Sequence, residues 1–200
     1  AAFAAKTVHD LLPGLPGVSG PVERVEAFVD AWTALTGKSA SRTMATRLFK
    51  LAELRKPEVA GTARPATPAD LPLMTRWYEL FMQDALPAAA NHAPPERLAK
   101  AALGPGSFSL FWEVDSGPVS FAAVRGPVSS MSRVAPVFTP AEQRGHGYAS
   151  AITAAATQWA LDQGSEHVLI TTDLANATTN HIYPAIGYVP FEDSAEYRFT

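Results

Sequence analysis

Apolar and polar positions follow two different periods along this chain, and the changes of period mark its elements. Residues 134–139 form an apolar, β-branched run, as a buried strand requires. Pro140 closes it, because proline cannot donate to a ladder hydrogen bond. The turn Gln143-Arg144-Gly145-His146-Gly147-Tyr148-Ala149 follows, and an alanine-rich stretch then places Ile152 and Trp159 seven residues apart, on one helical face. Strand, glycine-rich turn and helix make the unit around which the other elements are arranged.

Upstream, residues 1–12 read as helix and 15–21 as a turn-rich opening. Val25, Phe28, Val29, Trp32 and Leu35 recur at helical spacing, with Gly37 as the stop. Pro21 suits the first helical position, with Ser19 or Gly20 before it as cap. Residues 43–54 alternate as a strand, and 57–61 read as a linker. A short strand then runs into a helix capped by Thr67, with Pro68 first and Asp70 in its first turn. Leu73, Trp77, Leu80 and Phe81 give that helix its stripe to about Asp84. A second short helix spans 96–102 and stops at Gly104-Pro105-Gly106.

Residues 107–115 and 118–125 pair as a hairpin through Ser116-Gly117, with Phe108, Leu110 and Trp112 on one face, and 126–132 connect to the organising strand. After the alanine-rich helix come a strand at 166–172, a loop at 173–176, a helix at 177–186 closed by Gly187, and a strand region at 188–200 broken near Asp193. From residue 61 the order is β-α-α-β-β-β-α-β-α-β.

Composition narrows the chemistry. A net charge of −3 with no basic run argues against nucleic acid as partner. The absence of cysteine removes disulfides, a thiolate nucleophile and thiolate metal ligands. The five histidines are scattered without metal-ligand spacing, so no metal is expected. No apolar run is long enough to cross a membrane, and no signal-peptide pattern opens the chain, so a cytoplasmic location is expected. The chain starts without Met inside a helix-like stretch, and reads as a fragment or trimmed piece of a longer protein.

The turn carries the candidate chemistry. Two glycines let backbone N–H groups converge without Cβ atoms in the way. A helix start offers unpaired donors and a positive dipole end, which together attract phosphate. Arg144 adds a permanent charge. A P-loop would need Gly-Lys-Ser/Thr, which is absent. A dinucleotide fingerprint fits only loosely, and the chain ends about fifty residues later, too soon for the further strands of that fold. A glycine-rich turn without ligand is the bland alternative. Arg144-Gly145-His146-Gly147-Tyr148-Ala149 resembles, at every position, the Gln/Arg-x-x-Gly-x-Gly/Ala loop of the GNAT acetyltransferases. The opening Arg64-Pro65-Ala66-Thr67-Pro68-Ala69-Asp70 is similar to that family's Arg-x-Ala-x-x-x-Asp junction. Asn176 to Gly187-Tyr188, with Tyr183 between, resembles its Asn-(x)6-Tyr-(x)3-Gly-Phe/Tyr element.

The resemblance covers about 140 residues, from 61 to the end. It implies a mixed α/β fold of the acyl-CoA N-acyltransferase type, with helices on both faces of a central mixed sheet and a splay between strands 134–139 and 166–172. It implies acetyl-CoA as cosubstrate and a small-molecule or peptide amine as acceptor, joined by direct attack without a covalent intermediate. The pyrophosphate would lie on Arg144, Gly145, His146, Gly147, Tyr148 and Ala149. Backbone groups of Val137, Phe138 and Thr139 at a bulge would pair with the pantetheine and polarise the thioester. Asn176 and Asn180 would face the cofactor, with a plain helix cap, alone or in addition, as the alternative for Asn176. Tyr183 would protonate the leaving thiolate. Glu113 is the first candidate for a general base, with Asp115 and Asp173 behind it. A second copy of the chain, as a homodimer, is admitted beside these partners, and no membrane is. A non-catalytic acyl-CoA sensor is the alternative function. Residues 1–60 repeat turn, helix and strand without the arginine. They read as a remnant of a degenerate half-unit or as a helical extension of the 61–200 domain.

Overall fold

The computed structural model describes residues 1–85, 93–115 and 117–200. It forms a mixed α/β fold of two compact units. One holds Ala1–Phe49, Thr171–Asn180 and Pro190–Thr200, and the other Lys50–Ile170 and His181–Val189. The element order predicted from residue 61 onward is the order observed.

In the larger unit the strands lie in the order β7 (His167–Asp173, in this unit as far as Ile170), β6 (Met131–Phe138), β5 (Gly117–Val128), β4 (Ser107–Val114), β3 (Thr62–Pro65). All neighbours are antiparallel except β6 and β7, and that parallel pair needs a long crossover, which α5 (Tyr148–Asp162) supplies. One sheet face is covered by α3 (Leu71–Ala85) and α4 (Pro95–Ala102), whose Met74, Trp77, Tyr78, Ala99 and Ala102 pack with Phe111, Phe121 and Phe138. The other face is covered by α5, whose buried Ala151, Ala154, Ala156 and Ala160 let its backbone approach the sheet closely. With both faces covered, β5 reads as a continuous apolar run rather than an alternation.

Several local expectations shift. The buried stripe of α3 is Met74, Trp77 and Tyr78, with Leu73, Leu80 and Phe81 only partly covered, because the helix packs over a broad aromatic surface instead of a narrow seam. Residues 126–132 are not a polar connection. β5 runs to Val128 and turns through Ser129 and Ser130, both at positive φ, straight into β6. Ser116 lies outside the described residues. At the start of α3 the Thr67 cap closes a capping box with Asp70, and Arg64 holds Asp70 through Nη1 and Nη2, both at 2.9 Å. That guanidinium holds the Asp70 carboxyl down at about 2.

In the other unit, α1 (Ala2–Leu11) and α2 (Val22–Thr36) enclose Trp32, which is fully buried and stacks on Phe28 and Phe199 at 5.8 and 5.5 Å. The expected turn at 15–21 is instead a strand, β1 (Gly17–Pro21), paired antiparallel with β8 (Tyr188–Phe199) from Gly17↔Arg198 to Pro21↔Ser194. A Cβ at Gly17 would stand 2.4 Å from the Tyr197 carbonyl oxygen, so this glycine serves close strand approach. Pro21 is the N-cap of α2 rather than its first residue, and Gly37 ends the helix at φ 71°. The strand predicted at 43–54 is β2 (Ala40–Leu51). The break expected at Asp193 does not occur. Arg47 of β2 grips both Asp193 oxygens at 2.7 Å, neutralising the charge that would have ended the strand.

Candidate active site

The candidate site is built where β6 gives way to α5. On β6, Val134 pairs with Val124 and Val137 with Ala122, so three steps on β6 face two on β5. This is a β-bulge centred on Ala135 and Pro136, and Pro136 has no N–H to give to either neighbour. On the other side the ladder to β7 runs from Met131↔His167 to Val134↔Ile170 and stops there, while β6 continues to Phe138. Of the three strand residues named from sequence, Val137 and Phe138 still pair with β5. The Phe138 ring is buried against Trp77. Thr139 is held by Ser120, whose hydroxyl lies 2.8 Å from the Thr139 Oγ1 and donates to the Phe138 carbonyl.

Pro140 starts a single turn over Ala141–Gln143, closed by the Gln143 N–H on the Pro140 carbonyl. Arg144 leaves this turn extended. Its Nε donates to the Thr139 carbonyl at 3.1 Å, and its Nη2 meets Asp84 Oδ2 at 2.5 Å. Gly145 and Gly147 both take left-handed backbone, at φ 84° and 81°. Gly147 is the N-cap of α5, and its carbonyl accepts the Ala151 N–H, the first bond of the helix. The N–H groups just before that bond therefore lie at a positive helix end with no acidic residue in the first turn. His146 sits near the Gln143 carbonyl and stacks on Tyr148. The loop is exposed through 144–147, so Arg144, Gly145, His146, Gly147, Tyr148 and Ala149 form one accessible cradle. One constraint was invisible in the sequence: a Cβ at Gly147 would meet Val59 Cγ2 at 3.0 Å, in the segment read as a plain linker.

Tyr183 lies in the part of α6 (Ala177–Ala185) that belongs to the same unit as the loop. It is 4% exposed, 6.2 Å from the Tyr188 ring, and burial pushes its phenol well above the usual tyrosine range. It is therefore protonated throughout the neutral range. Tyr188 is tied by a 2.7 Å hydroxyl bond to Thr157 of α5. Gly187 follows at φ 101°, and a Cβ there would collide with the Glu53 carbonyl, so this glycine answers a close backbone approach.

Asn176 and Asn180 fall in the other unit. Asn176 Oδ1 accepts the Thr179 N–H at 3.1 Å, which makes it the helix cap. The Asn180 amide donates to the carbonyls of Asp173, Leu174 and Asn176, and its Oδ1 is a buried acceptor without a protein partner. Asp173 folds back on the Ala175 N–H. Glu113, at the end of β4, accepts from Arg64 Nε at 2.8 Å, which places its carboxylate in the Arg64–Asp70 network. Asp84, sixty residues before its partner in the loop, is marked by no motif.

A profile of the acetyltransferase (GNAT) family matches residues 74–188, and the chain belongs to that family. It is thus an acyltransferase by family and fold. Among solved structures it is similar to a GCN5-related N-acetyltransferase from Kribbella flavida, at 20% identity and TM-score 0.69, over 98% of this chain and 74% of that one. A GCN5-related N-acetyltransferase from Sphaerobacter thermophilus aligns over 98% of this chain and 65% of that one, at 17% identity and TM-score 0.63. A shorter protein, a putative acetyltransferase from Agrobacterium tumefaciens, covers 64% of this chain and 92% of its own length, at 20% identity and TM-score 0.52. At these identities the likeness is one of fold. A comparison with curated proteins finds no match. No described helix is long and apolar enough to cross a membrane, and the described residues contain no group of three or more His, Cys, Asp or Glu able to hold a metal.

Proposed function

We propose that the protein transfers the acetyl group of acetyl-CoA to a primary amine, of a small molecule or a peptide, by direct attack in a ternary complex. The observation that carries this reading is the cradle at residues 144–149. It combines two left-handed glycines, a helix start free of acidic residues, and an arginine beside it. The pyrophosphate is assigned to that cradle, where N–H donors and positive charge coincide. The bulge on β6 and the short β6–β7 ladder leave strand backbone for the pantetheine arm. In the reaction the amine lone pair attacks the thioester carbonyl carbon, the C–S bond breaks, and the thiolate leaves with the electron pair. Tyr183 is assigned as the acid that protonates this thiolate, and the proton that the nitrogen gives up to complete the amide passes to water, from which the Tyr183 phenol is restored. Glu113 is assigned to joining β3 and β4 through Arg64 rather than to removing that proton, because its carboxylate is already committed there.

Arg144→Gln tests the placement. CoA binding should weaken by about 1.5–3 kcal/mol, the range for a hydrogen bond to a charged group, read by titration calorimetry. Unchanged affinity would refute it. Turnover is read with a thiol reagent across a panel of amines, and since the chain has no cysteine every thiol detected is released CoA.

A further inference from the structure

We propose that Asp84 competes with the cosubstrate for Arg144, and so sets how tightly acyl-CoA is held. The proposal rests on the assignment of the pyrophosphate to residues 144–149. Arg144 is fixed from two sides, through Nε by the Thr139 carbonyl and through Nη2 by Asp84 Oδ2. Both ionic partners are about half exposed, at 52% each, so the pair is open to exchange with an anion arriving from solvent. Asp84 lies in the last described turn of α3, and that turn holds no basic residue. The carboxylate thus has no cation beside it in that turn, and among the described residues its partner is the loop arginine. A pyrophosphate reaching Arg144 must either displace Asp84 or lie beside a second negative charge on the same guanidinium. Either way, the carboxylate lowers the affinity. The arrangement favours ligands whose anionic charge outweighs one carboxylate, a diphosphate above a monoanionic or uncharged acyl thioester.

The test is a cycle of Asp84→Asn, Arg144→Gln and the double variant, titrated with CoA and, as a ligand without phosphates, with pantetheine. Asp84→Asn should bind CoA about 3- to 10-fold more tightly than the unmodified protein and lower KM for acetyl-CoA by a similar factor, with kcat unchanged. Pantetheine affinity should not move. In the Arg144→Gln background the gain should fall below twofold, since no contested guanidinium is left. Asp84→Glu, which keeps the charge, should stay within twofold of the unmodified protein, and thermal melts of all variants report on folding. If Arg144→Gln weakens CoA binding but Asp84→Asn leaves it unchanged or weaker, the competition is refuted and the pyrophosphate placement stands. If the unmodified protein does not bind CoA, or Arg144→Gln does not affect binding, the placement fails and the competition with it.

Discussion

Two strand-to-helix junctions in this protein look alike in sequence and differ in what their helix ends can do. At the first, β1 runs directly into α2 with Pro21 as cap at φ −51°, and Glu23 occupies the first helical turn. At the second, nine residues separate β6 from α5, the cap is Gly147 at φ 81°, and no acid occupies the first turn. In α2 the carboxylate of Glu23 answers the positive end of the dipole from within, and Pro21 contributes no N–H. In α5 the same field is left to whatever anion approaches, with Arg144 to assist it. The motif order alone does not make a phosphate site. In the proposed assignment it takes a glycine cap, N–H groups at the helix start and the absence of a local acid together.

The strongest way to break this contrast is Gly147→Val. A branched side chain at φ 81°, 3.0 Å from Val59 at its Cβ, should cost about 1–3 kcal/mol of stability through backbone strain and abolish CoA binding, with a loss above roughly 100-fold. Melting curves and calorimetry on one sample separate the two effects, and a folded variant that binds CoA within threefold of the original would remove the glycine cap from the explanation. Next in size is Tyr183→Phe, which keeps the buried ring and deletes only the hydroxyl. The value of kcat should fall about 10- to 100-fold while CoA affinity stays constant, because the group acts in the transition state alone. A drop in affinity instead would make the hydroxyl a cosubstrate anchor. The smallest effect tests the dipole argument directly. Ala149→Glu places an acid at the helical position in α5 that Glu23 holds in α2, so CoA binding should weaken about tenfold, and the helix should gain about 0.3–1 kcal/mol at low ionic strength. If CoA binds this variant as well as before, the local acid is not what separates the two junctions.

Much of this site was readable in the sequence because it is local. The Gly145–Gly147 turn, the helix behind it and the Thr67–Asp70 cap each depend on residues a few positions apart, where backbone conformation and capping chemistry leave few alternatives. The order of elements after residue 61 followed from the same short-range patterns. Three of the assignments that shifted depend on partners distant in sequence. Gly17 to Pro21 carry every sign of a turn and become a strand because residues 194–198 offer them a ladder. Asp193 reads as a strand breaker until Arg47, far away in the chain, neutralises it. Arg144 reads as an unencumbered phosphate ligand until Asp84 is seen holding it. Torsional preference and capping act within a few residues, so the segments able to form a helix, a strand or a glycine-rich turn are legible along the chain. Which charges meet and which glycines are hemmed in emerges with folding alone, because these depend on distances that chain connectivity leaves open.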